Sequence, residues 1–165
     1  MSVSLLPLPV GVLDLLATGD HAAAGRALGR AVPPGFLDCQ WVWAHFAALI
    51  RAEPELAWWR TQYAVVEDDR IVGHVRLHSH EGTRECQVGW EVEPIHRHRG
   101  VGRQAAAAIV GVAATRPEID RVVALVAHDN AASIAVAEAT GFVADGEQRH
   151  RFGWLMRRFV RTLRD

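Results

Sequence analysis

Between residues 86 and 110 the chain reads CQVGWEVEPIHRHRGVGRQAAAAIV. A strict alternation of apolar and polar residues gives way there, across two glycines, to a run of alanines. Alternation with a period of two is the pattern of a strand, and alanine has the best intrinsic helix propensity. The passage therefore specifies a strand that turns almost directly into a helix. Cys86, Val88, Trp90 and Val92 share one face of that strand; Gln87, Gly89 and Glu91 share the other. Gly100 and Gly102 fall at the turn, where the N–H groups of the first helical residues lack intrahelical partners. Those donors, with the positive end of the helix dipole, make an anion site. Two positions without a Cβ let a large anion come close to the backbone. Arg97, Arg99 and Arg103 add forked donors suited to phosphate oxygens. The expected ligand is a diphosphate or something richer.

The flanking sequence places this turn in a mixed α/β sheet. Residues 11–30 read as short helical pieces interrupted by glycine, and Phe36 to Arg51 as a longer helix with Pro54 as its stop. Trp41, Trp43 and Phe46 are expected in a core or subunit contact. TQYAVVE, the turn DDR and IVGHVRLH predict a hairpin. In its second arm Ile71, Gly73, Val75 and Leu77 are expected on one face, with Val72, His74, Arg76 and His78 on the other. After the alanine-rich helix, VVALVA at 122–127 is continuously apolar, as in a strand covered on both faces. A second helix runs from about Ala131 to Thr140 and stops at Gly141. The remainder fits a closing hairpin. Strand–helix–strand in the centre predicts one parallel pair with a right-handed crossover.

Composition narrows the class. The chain has 165 residues, half of them apolar and 22% charged, enough for one domain with a single core. Cys39 and Cys86 show neither metal spacing nor a disulfide framework, which fits a reducing, cytoplasmic setting. The N-terminal run carries Pro7 and Pro9 and no basic leader, so it is read as neither signal nor anchor, and neither a membrane nor a nucleic acid is an expected partner. Net charge is −1 and no lysine occurs. Residues 1–95 hold seven arginines against twelve carboxylates, whereas residues 96–165 hold eleven against seven. Such asymmetry suggests differently charged partners at the two ends.

Three phosphate-binding patterns compete for the glycine turn. A P-loop needs Lys-Ser/Thr after its last glycine, where Arg103-Gln104 stand. GVGRQA matches the dinucleotide fingerprint, which also wants an acidic residue after the next strand; Asp120 comes before that strand and Asp129 rather late after it. The third pattern is R-x-x-G-x-G, Arg97 to Gly102, preceded by Val92-Glu93-Pro94. With HDNAASIAVAEATGF at 128–142, it resembles the two cofactor motifs of the GCN5-related N-acetyltransferase (GNAT) superfamily. The resemblance covers about residues 60–160. Val-Gly-Trp and Asn-Ala-Ala-Ser-Ile are similar to the branch that acetylates protein N-termini, ribosomal-protein alanine acetyltransferases included.

That resemblance implies a GNAT fold, with a mostly antiparallel sheet, a splayed parallel pair and flanking helices. It implies acetyl-CoA as co-substrate and a primary amine, at a peptide N-terminus or on a small molecule, as acceptor. Backbone around Val92 would pair with the pantetheine arm, and main-chain amides of His98, Arg99, Gly100, Val101, Gly102 and Arg103 would hold the pyrophosphate. Asn130 and Ser133 match pantetheine contacts, although Asn130 is equally a helix N-cap. Two departures stand out. His98 replaces a common glycine, and Ala137 stands where many relatives have the tyrosine that reprotonates the thiolate. The acid is then Ser133, a histidine, water or nothing. For the base, Glu91 is the first candidate, with Glu85, His78 and His80 as alternatives. His74, His78, His80, His96 and His98 lack the acidic or thiolate companions of a metal site, so no metal is expected. A non-catalytic acyl-CoA sensor, suggested by Ala137, and a dinucleotide-binding oxidoreductase are the alternative functions. The tryptophan pairs Trp41/Trp43 and Trp58/Trp59 make a homodimer plausible.

Overall fold

The computed structural model describes residues 2–78, 82–150 and 153–164. The chain runs β1 (Ser4–Pro7), α1 (Val10–Ala17), α2 (His21–Leu28), a 3₁₀ segment (Pro34–Cys39), α3 (Gln40–Ala52) and a second 3₁₀ segment (Pro54–Arg60). Then come β2 (Gln62–Glu67), β3 (Arg70–His78), β4 (Glu85–Val92), a short 3₁₀ turn (Pro94–His96), α4 (Val101–Ala114), β5 (Arg121–Val126), α5 (Ala131–Ala139), β6 (Val143–Arg149) and β7 (Leu155–Thr162). The seven strands lie in the order β1-β2-β3-β4-β5-β7-β6, and every pairing is antiparallel except β4 with β5.

The predicted hairpin, the strand-to-helix turn, the parallel pair and the closing hairpin are all present. β1 went unrecognised in the sequence because Pro7 and Pro9 mask its pattern; it sits at the sheet edge, the place where a strand tolerates proline. The long helix predicted from Phe36 is also shorter than expected. Its first turn is 3₁₀, and Trp43 donates its indole N–H to the Phe36 carbonyl at 2.9 Å, which ties that turn to α3.

The two faces of the sheet carry separate cores. Val72, Val75, Leu77, Cys86, Val88, Val101, Ile109, Val122 and Phe159 are buried together on the α4 side. Leu13, Leu16, Phe36, Trp43, Phe46 and Ile71 are buried on the side of α1 and α3. This partition corrects the expected grouping of Ile71 with Val75 and Leu77. Val65 pairs with Gly73 but Val66 with Ile71, so Val72 is the extra residue of a bulge and the face parity flips across it. Downstream of the bulge His74, Arg76 and His78 all point to the α3 side.

Register between β4 and β5 covers only Glu85 to Gln87 against Arg121 to Val123. Beyond it β5 goes on pairing with β7, and β4 with β3, as far as Val126 and Val92. The parallel pair thus opens into a wedge. No helix among the described residues is long and apolar enough to cross a membrane.

Candidate functional site

The turn between β4 and α4 forms one wall. Gly100, with φ of 81°, is the left-handed residue that starts α4, and a Cβ added to it would meet nothing within 4 Å. His98 also has positive φ, 60°. Left-handed residues alternating with others turn successive N–H groups toward a common side. Among the described residues, the N–H groups of His98, Gly100, Val101, Gly102 and Arg103 have no main-chain acceptor, and the helical ladder begins with Gln104 on the Gly100 carbonyl at 3.1 Å. Such a set of unpaired N–H groups at a helix start can take an anion. The opened edges of β4 and β5 fit an extended arm that pairs by backbone hydrogen bonds.

The side chains of this turn divide the labour differently from the sequence expectation. Arg99 reaches the buried Glu67 carboxylate at 3.2 Å and His96 Nδ1 at 3.2 Å, so it ties the turn to β2. Arg97 donates from Nε to the Val92 carbonyl at 2.9 Å and bends the chain back along β4. Arg103 is exposed and has no protein partner among the described residues, which leaves it the free guanidinium of the three. Gly102 offers its N–H, but its missing Cβ serves packing: an added one would lie 3.3 Å from Val136 and 3.7 Å from Val92. Val101 is 1% exposed and belongs to the core.

Across the wedge stands α5. Asn130 caps it, its Oδ1 accepting from the Ser133 N–H at 3.0 Å. That is the capping role anticipated for Asn130, and the half-buried Ser133 stands one turn in, beside the wedge. Ala137 is fully buried in the α4-side core, so no acid can reach the wedge from there.

On the opposite face of the sheet lies a cleft of about 660 Å³. Its floor is His74, Arg76 and His78 of β3 with Gln87 and Glu91 of β4; α3 supplies Trp41, Val42, His45, Phe46 and Leu49; Leu125 and Gln148 to His150 close the far side. Glu91 is exposed at its edge, next in sequence to Val92 and one strand-step from the donor turn. The structure does not bring Glu85 to it. Glu85 starts β4, roughly 20 Å away along the strand at ~3.3 Å per residue, and its carboxylate is held by Arg158 at 2.8 Å and Arg121 at 2.9 Å. His78 lines the cleft with its ring against Phe46, and His80 lies outside the described residues.

Beneath Glu91 sit two groups that the sequence reading did not assign. His74 is 2% exposed, packed edge-on against Trp43 at 4.8 Å and Phe36 at 5.4 Å. Burial, and then the Arg76 charge, push its pKa down to about 3. The ring is therefore neutral, and its 3.9 Å approach to Glu91 Oε2 is no ion pair. Cys39 Sγ is also 3.9 Å from that oxygen. Burial, then the Glu91 charge, raise the Cys39 thiol to about 11. Sulfur, imidazole and carboxylate lie within 4.8 Å of one another, a donor set that could ligate a divalent ion. The protonated thiol and the adjacent guanidinium of Arg76 both oppose one. Of the histidines named in the sequence, His74 thus has the acidic and thiolate neighbours that the sequence reading found lacking, because Cys39 and Glu91 come from other segments; the others form no such group among the described residues. A signal for this floor did exist, since polar residues alternate with Val75 and Leu77 on a strand whose two faces are buried; Cys39 had none.

The expected subunit tryptophans are mostly internal. Trp43 and Trp59 are core residues, Trp58 carries Arg116 over its ring at 4.3 Å, and only Trp41 is widely exposed, at the cleft rim.

Comparison with known proteins identifies the family and the fold. The chain matches the acetyltransferase (GNAT) domain family over residues 19–143. No curated protein sequence matches it. Among solved structures it is similar to AAC(6')-Ib bound to ribostamycin and coenzyme A, at 18% identity and a TM-score of 0.67, over 98% of this chain and 94% of that one. It is similar to RimL, a ribosomal L7/L12 alpha-N-protein acetyltransferase in complex with coenzyme A, at 17% identity and 0.66, over 98% and 94%. A spermidine N-acetyltransferase SpeG chimera from Vibrio cholerae and hSSAT aligns at 16% identity and 0.69, over 99% and 96%.

Proposed function

This chain belongs to the acetyltransferase (GNAT) domain family and is an N-acetyltransferase with acetyl-CoA as donor; on that premise we propose that it acetylates a primary amine, at a protein N-terminus or on a small molecule, by direct attack in a ternary complex. The observation that carries the reading is the position of Glu91. It stands at the open end of the β4/β5 wedge, where the donor turn on one side and the 660 Å³ cleft on the other come within one residue of each other.

Bound acetyl-CoA supplies the thioester carbonyl that the amine attacks. The N–H groups of His98, Arg99, Gly100, Val101, Gly102 and Arg103 hold the diphosphate, with the Arg103 guanidinium beside them, while backbone at Val92 and the Asn130 and Ser133 side chains orient the pantetheine arm. The amine must arrive neutral. An α-amine with a pKa of about 8 needs far less help than a lysine side chain at about 10.4. Glu91 takes the proton through a water, and its exposure keeps that water within reach. The leaving sulfur recovers a proton from Ser133 or solvent, because Ala137 has none to give. The dinucleotide reading loses one of its two acidic residues: Asp120 is bound by the Arg84 guanidinium ahead of β5.

The test is free-thiol release from acetyl-CoA with peptides, amino acids, polyamines and aminoglycosides as acceptors. Release with at least one α-amine, lost in Glu91→Gln while acetyl-CoA still raises the melting temperature, is expected. Tight cofactor binding with no release from any amine would overturn the proposal.

A further inference from the structure

The cleft floor holds a charge that the reaction as described does not use. Arg76 of β3 is paired in register with Gly89 of β4. A Cβ on Gly89 would fall 2.7 Å from Arg76 Cζ and 2.8 Å from Nε, so the guanidinium lies across bare backbone and faces the cleft. Among the described residues no carboxylate stands within 4 Å of it and no acceptor takes a hydrogen bond from it. Three other arginines show the contrast: Arg60 is satisfied by Glu53 and the Leu49 carbonyl, Arg158 by Glu85 and Asp145, and Arg84 by Asp120. Arg76 is half-buried, with its guanidinium open to the cleft, and the Glu91 carboxylate is the charge that favours it most. A group with five unspent donors on the floor of an acceptor cleft is a receptor for oxygen.

We propose that Arg76 binds the carbonyl or carboxylate oxygen adjoining the acceptor's amine, so that the acceptors of this enzyme are α-amino acids or chain N-termini rather than polycations. The inference rests on Glu91 receiving the amine, as proposed above. Glu91 is two residues along from Gly89 and therefore diagonal to Arg76 on the same face, a separation of about 7–8 Å between Cα atoms. An α-amino acid unit carries its amine and its carbonyl oxygen a few ångströms apart, a span that fits between the tips of those two side chains. The charge of the cleft agrees. With Arg60 neutralised by Glu53, Arg76 and Arg149 balance Asp38 and Glu91 along the described lining, so the cleft offers no excess negative charge to an acceptor with several positive charges. The flank formed by Trp41, Phe46 and Leu49 is left for an apolar side chain.

The experiment compares matched acceptors by thiol release at saturating acetyl-CoA, with rates expressed per neutral amine: an amino acid, its amide, a dipeptide, the corresponding alkylamine without a carbonyl, spermidine and an aminoglycoside. Wild-type kcat/KM is expected to favour the carbonyl-bearing acceptors over the alkylamine by tenfold or more, the worth of one charge-assisted hydrogen bond. Arg76→Met should bring that ratio near one, chiefly through KM, and Arg76→Lys should keep part of it. A ratio near one in wild type, a ratio unchanged in either variant, or a preference for the polycations overturns the proposal. Should Arg76→Met fail to fold, the wild-type panel and Arg76→Lys decide. If amines are acetylated without regard to the carbonyl, this subsite falls and the acetyltransferase reading stands. If no amine releases thiol, both fall. Preference between the free amino acid and the dipeptide tells which source of the shared chemistry is used.

Discussion

The donor turn and the acceptor cleft meet at the end of β4, yet they are built in opposite ways. The turn is one continuous run, Val92 to Arg103, whose function lies in backbone direction. The cleft is assembled from 38–49, Arg60, 74–78, 87–91, Leu125 and 148–150, so it depends on side chains brought from six places. A site made of amides tolerates change in its side chains provided that the turn forms. A site made of converging side chains depends on every element that supports them. The turn should therefore be robust to substitution and the cleft fragile, and that contrast can be broken experimentally.

The largest effect is expected at the seam. A Cβ at Gly73 would fall 2.2 Å from the Glu91 carbonyl oxygen and 3.0 Å from Val92 Cα. Gly73→Val must push β4 away from β3, at a cost of about 3 kcal/mol or more, read as a lower urea midpoint and a loss of thiol release. A variant as stable as wild type would show that the seam is looser than its packing indicates. Next comes Glu91→Gln, expected to lower kcat by about 10²–10⁴-fold with acetyl-CoA affinity unchanged in calorimetry. An unchanged kcat would shift the base to His78 or to solvent.

Acidification probes the cleft floor. The His74 pKa is depressed in the folded state, to about 3 from 6.5, so between those values the unfolded chain binds the extra proton. Stability from this group is present above about pH 6.5 and is lost as pH falls toward 3. The melting temperature should decline over that window, and less so in His74→Leu. Equal slopes would assign acid sensitivity elsewhere. On the donor side, Arg103→Ala should weaken acetyl-CoA binding by about tenfold or less, given its exposure, with a shallower salt dependence and kcat intact. Arg99→Ala should chiefly cost stability, because it strands Glu67. The smallest effect is expected from His98→Gly, which relieves a left-handed conformation worth about 1 kcal/mol and should alter acetyl-CoA affinity only slightly.

Much of the donor side was legible before any coordinates. Gly100 after an alternating strand and ahead of Ala105–Ala108 admits few conformations, and Asn130 three residues before the Ser133 N–H is a local cap. The pairing of Arg99 with Glu67 was not legible, because Glu67 comes from a strand 32 residues earlier, a distance at which sequence patterns carry no pairing information. The cleft floor was half visible. His74, Arg76 and His78 were placed together on one face, but Val72 was placed with them, because a bulge leaves no mark in an alternating pattern. Cys39 and the tryptophans depended on how α3 packs.

By itself the sequence determined the strand, the glycine turn and the helix, since each follows from the conformations open to adjacent residues. It thereby pointed to a diphosphate carrier as the ligand. Only the tertiary structure decided that Glu91 faces a cleft while Glu85 is neutralised by Arg121 and Arg158, that His74 stays uncharged, and that Arg76 has no partner among the described residues. Those properties are set by burial and by charges from distant segments, and neither exists until the two faces of the sheet have been covered.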